Sequence, residues 1–294
     1  MTHSSNDNKH SNESWYPSEL ELQRQKVRSQ QSRKRIAIAT SSSVLVLGGL
    51  VLFITSSPGW ELFKQTYFDI EYGIEVLPIV ARGITTNIRL TVIASILITI
   101  LALLLALART SKAAALTPFR ILATVYVDIF RGVPLLLVIL LVGFGVPALG
   151  IRGLTGNVLV LGTLAVVLTY SAYVAEVFRS GILSIHPSQR AAARSLGLTQ
   201  AQAMRYVILP QAIRRVIPPL LNDLVALIKD TGLVSILGVI DAVRAAQIQT
   251  SKTFNYTPYI VAAILFLMIT IPLTRITDRA LQKSIAQQNS QGTT

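Results

Sequence analysis

Long apolar runs, all but one of them without charged residues, alternate with shorter polar segments along most of the chain. A helix needs about 20 consecutive apolar residues to cross the hydrocarbon core of a bilayer, and each run is close to that length. The pattern therefore predicts an all-α polytopic membrane protein with six spanning helices. The predicted spans are residues 36–54, 90–108, 133–151, 153–175, 216–240 and 253–274.

The basic residues predict the orientation of these spans. Cytoplasmic loops of membrane proteins retain Lys and Arg, and basic residues follow the second, fourth and sixth runs. The segment 55–87 is expected to be an outer loop because it is poor in positive charge. Six crossings place both termini in the cytoplasm, with tails over residues 1–35 and 281–294. The polar, basic tail 1–35 is expected to be mobile. It either contacts anionic lipid or a partner, or only sets the topology.

Composition narrows the class of function. Hydrophobic residues make up 51% of the 294 residues and charged residues 14%, against roughly a quarter charged in globular proteins. The net charge of +13 is explained by basic cytoplasmic loops, so no nucleic-acid partner is expected. The sequence contains no cysteine, no P-loop and no His-Glu-x-x-His motif, so we expect no metal, no catalytic residue and no enzyme activity on this chain.

The longest polar interruption between apolar runs is residues 186–210, which we call the knuckle. Pro187 suits the first position of a helix, and Gly197 suits a left-handed stop. Thr199 and Gln202 have the spacing of a capping box, and Pro210 is expected to close or kink the second helix. The pattern predicts two short helices joined at Gly197, shaped to dock onto a soluble partner.

The knuckle also resembles a known signature. The residues Ala191-Ala192-Ala193, Gly197 and Val207-x-Leu209-Pro210 are similar to the "EAA" loop of bacterial ABC-importer permeases. That consensus reads EAA, three residues, G, nine residues, I-x-LP. Ala191 stands where the family has Glu, so any ion pair of that carboxylate is absent. In that family the loop docks on the cytoplasmic ATPase, which implies coupling roles for Gln189, Ala191, Ala192, Ala193, Gly197, Leu209 and Pro210.

Four other segments resemble the polar amino-acid branch of these permeases. Two of them are Phe130-Arg131-Gly132-Val133-Pro134-Leu135-Leu136 and the stretch 170–182. The other two are residues 209–214 and 227–235. The similarity covers roughly residues 75–280 and implies a five-helix permease core, preceded by an extra N-terminal transmembrane helix at 36–56.

The resemblance implies both a function and a set of partners. The implied function is import of a polar amino acid across the cell membrane. The energy would come from ATP and Mg on two copies of a separate ATPase, with no cofactor on this chain. An extracytoplasmic binding protein would deliver the amino acid, and a second permease chain, identical or not, would complete the pore in the lipid bilayer. Basic amino acids, glutamate or glutamine, and cystine all remain open as substrates.

Polar groups inside predicted spans are costly in a bilayer and are candidates for the translocation path. Asn222, Asp223, Lys229 and Asp230 lie in the fifth run, where they either meet the substrate or neutralise one another near a helix break. Glu176 either lines the path or forms an ion pair with Arg179 that holds the knuckle. Tyr173 either lines the path or packs. The two aspartates also keep open an ion-gradient-driven secondary amino-acid transporter.

Overall fold

The computed structural model describes residues 18–111 and 113–291, and no β-strand occurs in these two ranges. Eleven α-helices are found there. They are α1 Glu19–Thr55, α2 Trp60–Tyr67, α3 Ile70–Thr110, α4 Thr117–Gly132, α5 Leu135–Ala148, α6 Val158–Leu183, α7 Pro187–Ser195, α8 Gln200–Ala203, α9 Leu209–Asp230, α10 Ala242–Thr253 and α11 Thr257–Gln291. Residues Thr231–Leu237 form a 3₁₀ helix, and the predicted all-α fold is confirmed.

The chain divides into two compact units, residues up to Leu62 and residues from Phe63 onward. In the first unit, Ser18 caps the single long helix α1 by accepting a hydrogen bond from the Glu21 N–H. Residues 19–35 of the predicted tail 1–35 are helical, and the mobility of the tail stays a prediction. Their Gln, Arg, Lys and Glu are good helix formers, and the following span extends the same helix. Residues 1–17 lie outside the described ranges.

In the second unit the core is built around α6, which packs against α3, α4, α5 and α9. Small residues on α6 allow close approach of the neighbouring helices. Ala165, Ala172 and Ala175 are all fully buried. A second apolar cluster joins α3, α10 and α11. The element that the hydrophobic pattern predicts as the fourth span is therefore the centre of the core.

The segment 55–87, predicted as an outer loop, and the segment between the fifth and sixth predicted spans both contain helices. Residues 55–87 contain α2 and the start of α3, which begins at Ile70, and residues 242–253 form α10. The charged residues that suggested loops are compatible with helix. Asp69 caps α3 by accepting from the Tyr72 N–H at 3.0 Å. Asp241 caps α10 by accepting from the Arg244 N–H at 2.8 Å. Acidic side chains at such positions stabilise helix starts.

Within the described ranges, four helical segments are long and apolar enough to cross a membrane. They are Glu19–Thr55, Trp60–Thr110, Val158–Leu183 and Thr257–Arg279, and the pair α4–α5, bent by 107°, could supply a fifth. The bend follows Val133, whose extended backbone is typical of a residue before proline. Helix α9 does not meet the criterion of length and apolar character, so six crossings and cytoplasmic termini stay predictions.

Candidate functional site

The first half of the knuckle is the helix α7. The His186 ring accepts a hydrogen bond from the Ser188 N–H at 3.2 Å, and Pro187 is the first helical residue. At the other end, Gly197 has φ +83°. Its N–H donates to the Arg194 carbonyl at 2.9 Å, and the Leu198 N–H donates to the Ala193 carbonyl at 3.2 Å. This pair of bonds is a Schellman motif, so the predicted stop at Gly197 is confirmed.

The second half begins with the predicted capping box. The Gln202 side chain accepts from the Thr199 N–H at 2.8 Å, and the Thr199 hydroxyl accepts from the Gln202 N–H at 3.3 Å. Helix α8 ends at Ala203, and the backbone passes through a π turn at Met204–Ile208 into α9, with Pro210 in the first turn of α9. A kink at Pro210 stays a prediction. The wider turn accommodates a proline, which lacks an N–H and crowds the preceding turn.

The knuckle is anchored on the ends of two long helices. Ile182 of α6 and Ile185 just after it form an apolar cluster with Ile208 of the π turn and Ala212 of α9. Arg215 donates to the Ser184 carbonyl at 2.5 Å. Among the predicted coupling residues, Ala193 is buried, and the others are exposed, namely Gln189, Ala191, Ala192, Gly197, Leu209 and Pro210. Leu196, which sequence reasoning did not select, is 83% exposed beside the turn.

Glu176 lies at the centre of an arginine cluster. Its carboxylate accepts from Arg109 of α3 at 2.8 Å and from the Nε of Arg179 at 3.0 Å. Arg131 of α4 lies 4.0 Å away, and its guanidinium stacks over the Tyr173 ring at 5.9 Å. The Tyr173 hydroxyl donates to the Arg131 carbonyl at 3.3 Å. The Glu176–Arg179 pair was predicted. The additional hydrogen bond from Arg109 connects Glu176 of α6 to α3.

The four polar residues predicted in the fifth span divide between two faces of α9. Asp223 and Asp230, seven residues apart, are both half-buried, whereas Asn222 and Lys229 are exposed. Asp230 accepts a hydrogen bond from the Tyr170 hydroxyl at 2.7 Å. Asp223 lines a cavity of about 290 Å³ between α3, α6 and α9, together with Tyr170. Of the two aspartates, Asp223 therefore lines the cavity, whereas Asp230 is hydrogen-bonded to the lining residue Tyr170.

A buried polar cluster at the start of α10 was missed by sequence reasoning. The Asn87 amide donates to Asp241 at 3.0 Å and to Thr231 at 3.2 Å, and its oxygen accepts from the Ala242 N–H at 3.1 Å. All three side chains are fully buried. One turn earlier, a Cβ on Gly83 would lie 2.5 Å from the backbone of Asp241. A glycine and an asparagine four residues apart lie on one face of a helix. This spacing is the signal in the sequence that could have indicated the contact between α3 and α10.

Comparison with known proteins identifies the family. The family model described as "binding-protein-dependent transport system inner membrane component" matches residues 113–285. The chain belongs to this family. It is therefore a multi-pass inner-membrane permease of a binding-protein-dependent transport system, and the resemblance seen in the sequence is confirmed.

Individual relatives cover most of this permease. A putative glutamine transport system permease protein, GlnP, of Rickettsia conorii is 34% identical over 73% of this chain and 98% of its own length. The arginine transport system permease protein ArtQ of Bacillus subtilis is 32% identical over 74% of this chain and 97% of its own. These names place the family match within amino-acid transport.

Solved structures agree with the fold. The crystal structure of an amino acid ABC transporter with histidines superposes with a TM-score of 0.66 at 33% identity, covering 71% of this chain and 96% of that one. An inward-facing methionine ABC transporter, MetNI, gives 0.56 at 18% identity, which supports the fold alone.

Proposed function

We propose that this permease is the membrane subunit of an importer that moves a polar amino acid into the cytoplasm, driven by ATP hydrolysis on a separate ATPase. Two ATPase copies, which hold ATP and Mg, would act on a pair of permease chains, and an extracytoplasmic binding protein would supply the amino acid. The family match and the relatives named for glutamine and arginine support the substrate class. The observation that carries the ATPase partner is the rigid, exposed knuckle.

The contacts of the knuckle offer a route for transmitting force. Helix α7 is held by its Schellman turn and packs against the π turn Met204–Ile208. Ile208 of that turn joins the cluster that connects the ends of α6 and α9. Those two helices, with α3, line the cavity that contains Asp223. A displacement of α7 by an ATPase would therefore act on two of the three walls of the cavity. Close-packed interfaces of this kind shift as units rather than deform continuously.

The knuckle differs in charge from the family pattern at Ala191, which is exposed on α7. The stretch 177–222 contains six arginines and no aspartate or glutamate. Docking would thus rest on shape, on the exposed Leu196 and on arginine side chains, rather than on the usual carboxylate. Arginine contacts of this type favour an acidic surface on the partner.

The test is the substitution Gly197→Val. A β-branched residue cannot adopt φ +83° without strain of about 1–3 kcal/mol, so the Schellman turn should open and the docking face should be lost. Gly145→Val is the matched control, because a Cβ at Gly145 meets nothing within 4 Å. Gly197→Asn should largely retain function, since asparagine tolerates the left-handed region.

Two measurements follow in membranes containing wild-type or variant chain: amino-acid uptake, and mass spectrometry of the proteins that co-purify. We expect Gly197→Val to remain in the membrane while losing both ATP-dependent uptake and the co-purifying P-loop ATPase. Unchanged uptake in Gly197→Val would contradict the coupling role. Uptake that persists without an ATPase and collapses with the ion gradient would favour a secondary transporter instead.

A further inference from the structure

The polar side chains that line the cavity between α3, α6 and α9 all present hydrogen-bond acceptors to it. Four of the lining residues are polar, namely Ser95, Thr99, Tyr170 and Asp223. The Ser95 hydroxyl donates its proton to the Thr91 carbonyl at 2.7 Å, and the Thr99 hydroxyl donates to the Ser95 carbonyl at 2.7 Å. Both hydroxyls therefore satisfy their own helix and leave only oxygen lone pairs for a ligand.

Tyr170 and Asp223 also present only acceptors to the cavity, for different reasons. The Tyr170 hydroxyl donates to Asp230 at 2.7 Å, so only its lone pairs remain available. The Oδ2 atom of Asp223 is buried and has no hydrogen-bond partner in the described part of the chain. A carboxylate oxygen is an acceptor, and leaving one buried and unpaired is costly. The cavity thus presents four acceptors, one of them unsatisfied, and no free side-chain donor.

No cationic side chain compensates this arrangement among the described residues that line the cavity. Lys229 was the sequence feature expected to offset the aspartates, but it is exposed on another face of α9. The rest of the lining is aliphatic and includes Ile98, Leu220, Leu221 and Leu224. Apolar walls around a buried anion suit the methylene stem and charged head of a lysine or arginine side chain.

We infer that this cavity is a binding site for a cationic group on an aliphatic stem, so that the transported amino acid is a basic one. The inference rests on the proposed function, because it names the substrate class of the same importer. The cationic head would donate to Asp223 and to the oxygens of Ser95 and Thr99, and its stem would lie against the leucines of α9. An anionic side chain would meet acceptors only, and glutamine would leave its carbonyl without a donor.

The test measures retention of radiolabelled arginine, lysine, glutamine and glutamate on the purified full-length chain in nanodiscs of zwitterionic lipid. This format excludes selection by a binding protein. We expect arginine and lysine to be retained at least about tenfold more tightly than the other two, and Asp223→Asn to remove about tenfold or more of that affinity. Asp223→Glu should restore part of it. Thr99→Val, which removes one acceptor without removing charge, should cost less.

The control variant is Thr85→Val, on an exposed part of α3 outside the cavity, where the hydroxyl donates to the Arg82 carbonyl of its own helix. It should bind arginine as the wild type does. Equal retention of glutamate or glutamine, no retention of arginine, or an Asp223→Asn variant with wild-type affinity would overturn the inference. Thr99→Val keeps the test decisive if Asp223→Asn does not fold.

Different results would contradict the basic substrate and the ATP-driven importer. ATP-dependent uptake of a neutral or acidic amino acid, with no cation bound by the cavity, overturns the substrate class and leaves the importer standing. Arginine bound by the cavity without any ATP-dependent uptake supports the site and contradicts the proposed function.

Discussion

The knuckle and the segment from α9 to α10 both contain prolines and glycines, yet these residues act differently in the two regions. In the knuckle, Pro187 begins a helix and Gly197 ends it. In α9, Pro218 and Pro219 lie inside a continuous helix, and the break comes later, at the 3₁₀ helix after Asp230. Local hydrogen bonds decide the path of an exposed segment, whereas packing against other helices decides it in the core.

The same contrast holds for polar side chains. Thr199 and Gln202 bond to each other within one turn. Asn87 bonds to Thr231 and Asp241, which lie 144 and 154 positions away in the sequence. Short-range partners can be found from spacing alone. Long-range partners exist only after the helices have come together. Three variants, ordered by the size of the expected effect, test this contrast.

The largest effect is expected for Gly83→Val. A Cβ at this position would lie 2.5 Å from the Asp241 and Ala242 backbones, and a backbone cannot rotate away as a side chain can. Overpacking of this kind costs about 1–3 kcal/mol and sometimes more, so the helix contact between α3 and α10 should separate. Folded yield and thermal midpoint in detergent measure it. The substitution Gly145→Val, in open space, should change neither, and a normal midpoint for Gly83→Val would contradict the close contact.

The next effect is expected for Asn87→Ala, which leaves the Asp241 carboxylate and the Ala242 N–H without their side-chain partner. Buried groups left unsatisfied cost about 1–3 kcal/mol each, so the thermal midpoint should fall clearly. Thr91→Val is the control, because the Thr91 hydroxyl donates to the Asn87 carbonyl of its own helix at 2.8 Å rather than to another helix. In a double-mutant cycle, Asp241→Ala should cost less when Asn87 is already Ala. Strict additivity would show that the two side chains do not interact.

The smallest effect is expected for Thr199→Ala in the knuckle. Loss of the capping box should destabilise α8 by about 1 kcal/mol, locally and without loss of the folded core. Protease sensitivity of the knuckle should rise while the thermal midpoint of the whole protein stays nearly constant. Exposed Gln200→Ala is the control and should leave both unchanged. A global loss of stability in Thr199→Ala would mean that the knuckle is more tightly coupled to the core than its exposure suggests.

Much of the fold could be predicted from hydrophobic runs and local signals. The central span α6, the Schellman turn at Gly197, the capping box and the Glu176–Arg179 pair all follow from residues close together in the sequence. The helical extension of α1 and the helix α10 were missed. In both cases a polar stretch remains helical because its neighbours extend the helix or pack against it.

The candidate cavity shows the same division. Sequence spacing selected Asp223 and Asp230 together with Asn222 and Lys229, but the two pairs lie on different faces of α9. Which face is enclosed depends on where α3 and α6 pack, so composition alone could not separate the carboxylates from the lysine. Ser95 and Thr99 carried no signal in the sequence, because hydroxyls are common in apolar helices and usually bond to their own backbone.

The sequence by itself determined the membrane class, the family and the knuckle, because apolar run length, basic flanks and helix caps are short-range properties of the chain. The tertiary structure alone decided that Asn87 joins α3 to the start of α10, that Lys229 lies apart from Asp223, and that the cavity offers acceptors without donors. Those features depend on the register and rotation of packed helices, which bring together groups separated by more than a hundred residues.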